Sequence, residues 1–141
     1  MNFVKFGLTA AMAAVMSMGI ACAQEPVNPQ PARPLTFSHP SYHKVTPDVA
    51  QKMMQQGVVL IDVRSPEEFA EGHVKGAVNV PLDQIKPGVK LQAVPNLEDK
   101  VLVQCKSGVR AETASKILVQ TGYKNVYNAY GTSQWPFGLV K

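Results

Sequence analysis

The sequence predicts an α/β fold in which a mostly parallel central sheet carries helices on both faces. Three observations carry that prediction. Short apolar runs at residues 58–61, 77–80, 101–103 and 126–127 alternate with helix-patterned stretches, the order that builds β-α-β units. The runs Val58-Val59-Leu60-Ile61 and Val101-Leu102-Val103 are apolar throughout, as strands covered on both faces must be. Helix-start signals stand ahead of the first run, at Thr46-Pro47-Asp48, and between the first two, at Ser65-Pro66-Glu67-Glu68.

Each element has a local reason. Thr46 caps a helix that opens on Pro47 and runs to Gln56, with Gly57 suited to the position after its end. Ser65 and Glu68 have capping-box spacing for a second helix. Gly72 and Gly76 prepare a turn into the short strand 77–80, which Pro81 stops. A short helix is expected around residues 82–85, and then a loop through Pro87, Gly88 and Pro95. Residues 111–120 read as a helix with Ala114, Ile117 and Leu118 on one face, ended by Gly122. After the last strand, Trp135 anchors the C-terminal piece.

The first 23 residues differ from the rest. Lys5 precedes an uncharged apolar stretch, residues 7–22, that closes on Ala21-Cys22-Ala23. That stretch falls short of the roughly 20 residues a membrane-spanning helix needs. It has the layout of a secretory signal peptide, residues 1–23, cleaved after Ala23. Two rivals are a retained membrane anchor and a lipoprotein leader ending at Cys22. Against the second, Gly19 stands where a bulky aliphatic residue is usual. The expected destination is the periplasm, with no stable membrane insertion after cleavage. Residues 24–41 then hold five of the eleven prolines, too dense for helix. They read as a linker or arm that packs on the domain through Leu35, Phe37 and Tyr42. The domain proper is expected over residues 42–141.

Composition sets limits. The 141 residues carry a net charge of +4, and removing Lys5 leaves +3 with no dense basic run. That argues against a nucleic-acid partner or polybasic membrane patch. Two cysteines cannot form a multi-disulfide scaffold, and they lack zinc-finger spacing. Cleavage would remove Cys22 and leave Cys105 as the mature chain's single thiol.

Cys105 follows a buried strand and precedes a helix by about six residues. In parallel sheets, ligands bind at the carboxyl ends of strands, where helix N-termini also point. Gly108 lets the segment CKSGVR curl so that successive N–H groups turn inward around the sulfur. Lys106, Arg110 and the helix dipole all favour a thiolate and attract an anion. On spacing alone a second reading stands beside this one, a small buried core thiol flanked by surface cations.

IDVRSPEEFAEGHVKGAVNVP at 61–81, followed by VLVQCKSGVRA at 101–111, resembles the rhodanese family. The resemblance runs from Thr46 to the C-terminus. With leader and single domain together, the chain looks like the short exported rhodaneses of bacteria, of the phage-shock type. That resemblance implies thiosulfate sulfurtransferase activity. Cys105 would take the outer sulfur of thiosulfate, a small anionic donor, as a persulfide and pass it to cyanide or a thiol. No metal and no organic cofactor are implied. The backbone amides of Lys106, Ser107, Gly108, Val109 and Arg110 would stabilise the sulfur anion. Arg110, with Lys106, would hold the sulfonate. Asp62 and Arg64 would brace the site, Asp62 bonding the active loop or a cation.

Two other functions compete. Cysteine phosphatases and arsenate reductases of related fold use C-x5-R, whereas Cys105 to Arg110 is C-x4-R, a tighter loop that suits sulfur. A non-enzymatic module that docks a partner or carries sulfur through the Pro-rich arm is the other; no specific protein partner is implied. Several positions read as structural: His73 as a hydrogen-bonding residue, Glu67, Glu68 and Glu71 as a solvated helix face, and Trp135 as core. The family often has a Gly-Gly pair ahead of its late Trp, and Tyr130 stands at the first of those positions here. It is expected to project near the active-site mouth and narrow access.

Overall fold

In the computed structural model, which describes residues 35–141, five strands pair in the order β1-β5-β4-β2-β3, all parallel. The expected signal peptide at residues 1–23, with Cys22, and the first part of the expected Pro-rich arm lie outside the described residues. The strands are β1 (Tyr42–Lys44), β2 (Val59–Asp62), β3 (Val78–Asn79), β4 (Val101–Cys105) and β5 (Val126–Gly131). The helices are α1 (Pro47–Gln55), α2 (Pro66–Glu71) and α3 (Val109–Thr121). A short 3-10 turn at Leu82–Gln84 stands where a short helix is expected.

The apolar runs fill both sides of this sheet. Leu60, Leu102 and Ala129 meet Ala50 and Met53 of α1 together with Trp135. Ile61, Val101, Val103 and Val126 meet Ala111, Ala114 and Leu118 of α3. All five residues of β4 are buried, so the strand that ends in the cysteine is held from both faces. Truncating a buried leucine in such a layer costs about 2–5 kcal/mol.

Local signals place the helix ends. The Thr46 side chain accepts from the Val49 amide at 3.4 Å. Ser65 and Glu68 form the full capping box. Gly57 follows α1 with φ +98°, a left-handed geometry that glycine adopts freely.

Several element boundaries differ from the sequence reading, most by one residue, and four of the differences bear on the site. β1 pairs with β5 through Tyr42↔Val126 although its three residues include exposed His43 and Lys44. An edge strand that short has no periodicity to detect. β4 reaches Cys105 itself, and β5 runs past Asn128 to Gly131. α3 begins at Val109, two residues ahead of its apolar pattern. Val109 and Arg110 are therefore first-turn helical residues, and three residues, Lys106, Ser107 and Gly108, join β4 to α3.

Residues 35–41, expected in the arm, belong to the same compact unit as the sheet. Phe37 packs against the α3-side core, its amide donates to Glu112 Oε2 at 3.0 Å, and its ring lies 4.9 Å from that of Tyr42.

Candidate active site

Cys105 is the final residue of β4, and its side chain is 1% exposed. The Gly108 N–H donates to Sγ at 3.0 Å. Gly108 caps α3 with φ +108°, which a side chain would strain, and an added Cβ would press on the Tyr130 backbone at 3.2 Å. Of the five amides expected around the sulfur, Gly108's is the one at hydrogen-bond distance among the described residues. Those of Val109 and Arg110 open the helix, where no intrahelical acceptor exists for them.

The loop rests on the end of β5. The Lys106 carbonyl accepts from the Ser133 amide at 3.1 Å and from the Ser133 hydroxyl at 2.7 Å. A Cβ on Gly131 would lie 1.9 Å from the Lys106 oxygen, so glycine there is a steric demand. The β4–β5 register shifts at this level, from Val103↔Asn128 to Cys105↔Gly131. The extra residue on β5 is accommodated by Tyr130 at φ +62°. A left-handed, non-glycine residue next to the cysteine loop is backbone strain held by its surroundings.

The cations divide. Arg110 is bound through both terminal nitrogens to Glu68, at 2.8 and 3.1 Å. The guanidinium's hydrogen bonds hold the Glu68 carboxyl down at about 2, and Glu68 in turn raises the Arg110 pKa. Glu68 thus leaves the solvated face to which the sequence assigned it. It caps α2 and reaches 42 residues along the chain to α3, while Glu67 and Glu71 are exposed. Lys106 and Ser107 are exposed, and Lys106 makes no ion pair among the described residues. A cavity of about 260 Å³ opens beside the loop, lined by Arg64, Glu68, Glu71, Gly72, Lys106, Thr132 and Leu139.

Asp62 is fully buried and pairs with the cation Arg64, whose Nε and Nη2 meet both its oxygens at 2.8–3.1 Å. Arg64 Nη2 also donates to the Gly72 carbonyl at 2.7 Å, tying the end of β2 to the end of α2. Asp62 therefore acts on the helix that supplies Glu68. Asn79, absent from the sequence reading, clamps the same corner by donating to the Asp62 and Arg64 carbonyls at 2.9 and 3.0 Å. His73 is structural: its Nδ1 lies 2.8 Å from the Phe69 carbonyl and its ring stacks on Phe69 at 3.7 Å. Trp135 is core, as its buried position in the α1 layer shows.

A polar side chain that the sequence reading passed over also reaches the loop. Asn128, fully buried on β5, donates to the Gly108 carbonyl at 3.1 Å and to Tyr42 Oη at 3.0 Å. Its Oδ1 accepts from the Tyr130 amide at 2.8 Å. The only advance signal was an asparagine inside an otherwise apolar strand end.

The arrangement is a buried thiol at a strand end, touched by a backbone donor, with two cations and an open cavity nearby. Residues 46–135 match the family described as Rhodanese-like domain. Among curated relatives, thiosulfate sulfurtransferase PspE of Escherichia coli (strain K12) is 44% identical over 81 residues, 57% of this chain and 77% of that one. Thiosulfate sulfurtransferase GlpE of Haemophilus influenzae (strain 86-028NP) is 33% identical over 91 residues, 64% of this chain and 84% of that one. A mitochondrial relative from Schizosaccharomyces pombe, 40% identical over 87 residues, is matched over 55% of this chain and 61% of its own length. A solved rhodanese with anions from E. coli superposes with a TM-score of 0.55 at 39% identity, over 60% of this chain and 99% of that one. A human single-domain sulfurtransferase gives 0.56 at 27% identity, over 70% of this chain and 95% of that one. The parallel sheet, the cysteine at the end of its β4 strand and these matches make the chain a member of the rhodanese-like domain family.

Proposed function

We propose that this protein is a thiosulfate sulfurtransferase working through a persulfide on Cys105. The observation that carries the reading is the Gly108 N–H held 3.0 Å from the Cys105 sulfur within a C-x4-R loop. A donor fixed in advance on a sulfur anion needs no reorganisation when charge develops there.

The Cys105 thiolate attacks the outer sulfur of thiosulfate. A new S–S bond forms to Cys105, the old one breaks, and its electron pair leaves with sulfite. Cyanide or a thiolate then attacks the terminal sulfur of the persulfide. The Cys105–S bond breaks, and its electron pair returns to Cys105 as thiolate. Splitting the transfer in two lets one group serve as nucleophile and then as leaving group. Arg110, already engaged by Glu68, contributes its field and its remaining N–H groups. Lys106, exposed and in no ion pair among the described residues, is the cation left to meet the sulfonate. The E. coli neighbour was solved with anions, in keeping with an anionic substrate for this family.

Intact-mass measurement after thiosulfate addition tests the reading. One added sulfur atom on the wild type and none on Cys105→Ser is expected; an unmodified wild type, or an equally modified Cys105→Ser, refutes it. We also propose export to the periplasm on residues 1–23. Cell fractionation with N-terminal sequencing should find a soluble periplasmic chain that starts at Gln24.

A further inference from the structure

We propose that Asn128 is a positioning residue for sulfur transfer, its carboxamide fixing the loop glycine that holds the Cys105 sulfur. The inference rests on the reading of Cys105 above. Asn128 makes three of its four possible hydrogen bonds within this corner of the fold. Both Nδ2 hydrogens are used, one on the Gly108 carbonyl and one on Tyr42 Oη, and Oδ1 takes the Tyr130 amide. The side chain is fully buried, so no water competes for these bonds.

The partners explain why one residue needs so many bonds. Gly108, at φ +108°, and Tyr130, at φ +62°, are both left-handed, and the Tyr130 ring is packed against Gly108. Gly108 has no side chain with which to cap α3. Its carbonyl nonetheless accepts twice, from the Glu112 amide at 2.9 Å and from Asn128. Between them these two donors orient the glycine whose own N–H points at Cys105. Tyr42, buried on β1, gives the carboxamide a fixed anchor. Burial also pushes the Tyr42 hydroxyl's pKa up, which keeps it neutral.

At metal centres, residues that orient a ligand cost about 10–100-fold when removed, and a residue that orients a sulfur's hydrogen-bond donor is expected to fall in the same range. Asn128→Asp keeps the shape and the acceptor for Tyr130 but offers the Gly108 carbonyl no amide donor. Three measurements on the folded variant decide the matter. In the thiosulfate–cyanide assay, kcat is expected to fall at least about tenfold while KM for thiosulfate stays within about threefold, in line with that range. Alkylation of Cys105 by iodoacetamide slows by a similar factor. In 15N-edited NMR spectra the Gly108 amide resonance shifts. Asn128→Ala serves as the second variant, with the same expectations, should the aspartate fail to fold. Wild-type alkylation rate and an unmoved Gly108 resonance in a folded variant overturn the proposal, even if melting temperature drops. Alkylation and the amide resonance need no persulfide, so they still judge Asn128 if the sulfurtransferase reading fails.

Discussion

Two adjacent residues on β5 show how steric demand and strain differ. Gly131 lies under the Lys106 carbonyl with no room for a methyl group. Tyr130, beside it, occupies a left-handed conformation that costs an ordinary side chain about 1–2 kcal/mol. Gly131→Ala is therefore expected to destabilise by about 2 kcal/mol or more, since the loop must move or the strand must bend. It should also slow sulfur transfer. Tyr130→Gly relieves that strain but removes a ring packed against Gly108 and frees the unfolded chain. Its net effect is expected within about 1 kcal/mol of zero, well short of the Gly131→Ala loss. Denaturant titration of both variants checks the difference. Glu68 gives a prediction in pH. Its carboxyl is held at about 2, below the ordinary 4.5. The stability it contributes is complete above about 4.5 and lost as pH falls through about 2. Glu68→Gln should thus be less stable at neutral pH, and the two melting curves should converge near pH 2. A constant gap between them down to that pH would contradict the assignment. What sequence revealed at this scale was local: Ser65 and Glu68 stand three apart, so their capping box could be read. The link from Glu68 to Arg110 spans 42 residues, and no spacing rule reaches that far.

At the scale of elements, β1 and the loop between β3 and β4 depend on tertiary contacts. The loop has no regular structure from residue 86 to 100 beyond an isolated bridge between Leu91 and Val94. It is pinned by buried Tyr123, whose hydroxyl accepts from the Leu91 amide at 2.7 Å and donates to the Val94 carbonyl. Tyr123→Phe leaves two buried backbone groups without a partner, at a cost of about 1–3 kcal/mol. Hydrogen exchange should show the effect first at Leu91, ahead of the strands. The central strands and three helices were legible because apolar runs and caps are properties of neighbours in sequence. β1 was not, because His43 and Lys44 face solvent and only pairing with β5 makes them a strand. The start of α3 was missed for a related reason. Gly108 caps through backbone geometry, and the usual Ser, Thr, Asp or Asn signal is lacking.

For the molecule as a whole, the weak net charge matters less than where unpaired charge stands. The Asp62–Arg64 and Glu68–Arg110 pairs cancel within the fold, leaving Lys106 beside the cysteine. Lys106→Ala is expected to raise KM for thiosulfate about three- to tenfold, near 1 kcal/mol of exposed ionic interaction. It should also flatten the rise of KM with ionic strength. A steady-state series in increasing salt reads both effects, and an unchanged slope would return the sulfonate to Arg110. The family, the cysteine and its loop were plain from two motifs, whereas the groups that aim the loop were not. Asn79, Asn128 and Ser133 are ordinary polar residues until the sheet brings them together.

The carboxamide of Asn128 joins Tyr42, 86 residues earlier, to Gly108, 20 residues earlier. Contacts that far apart in sequence form late, because the chain between them must first be ordered. A nascent or unfolded chain therefore carries Cys105 as an unremarkable thiol, with no held donor beside it. On the proposed reading, Cys105 gains its reactivity only when β1 has paired with β5. The rate of Cys105 modification during refolding should accordingly report completion of folding, lagging behind the recovery of helix.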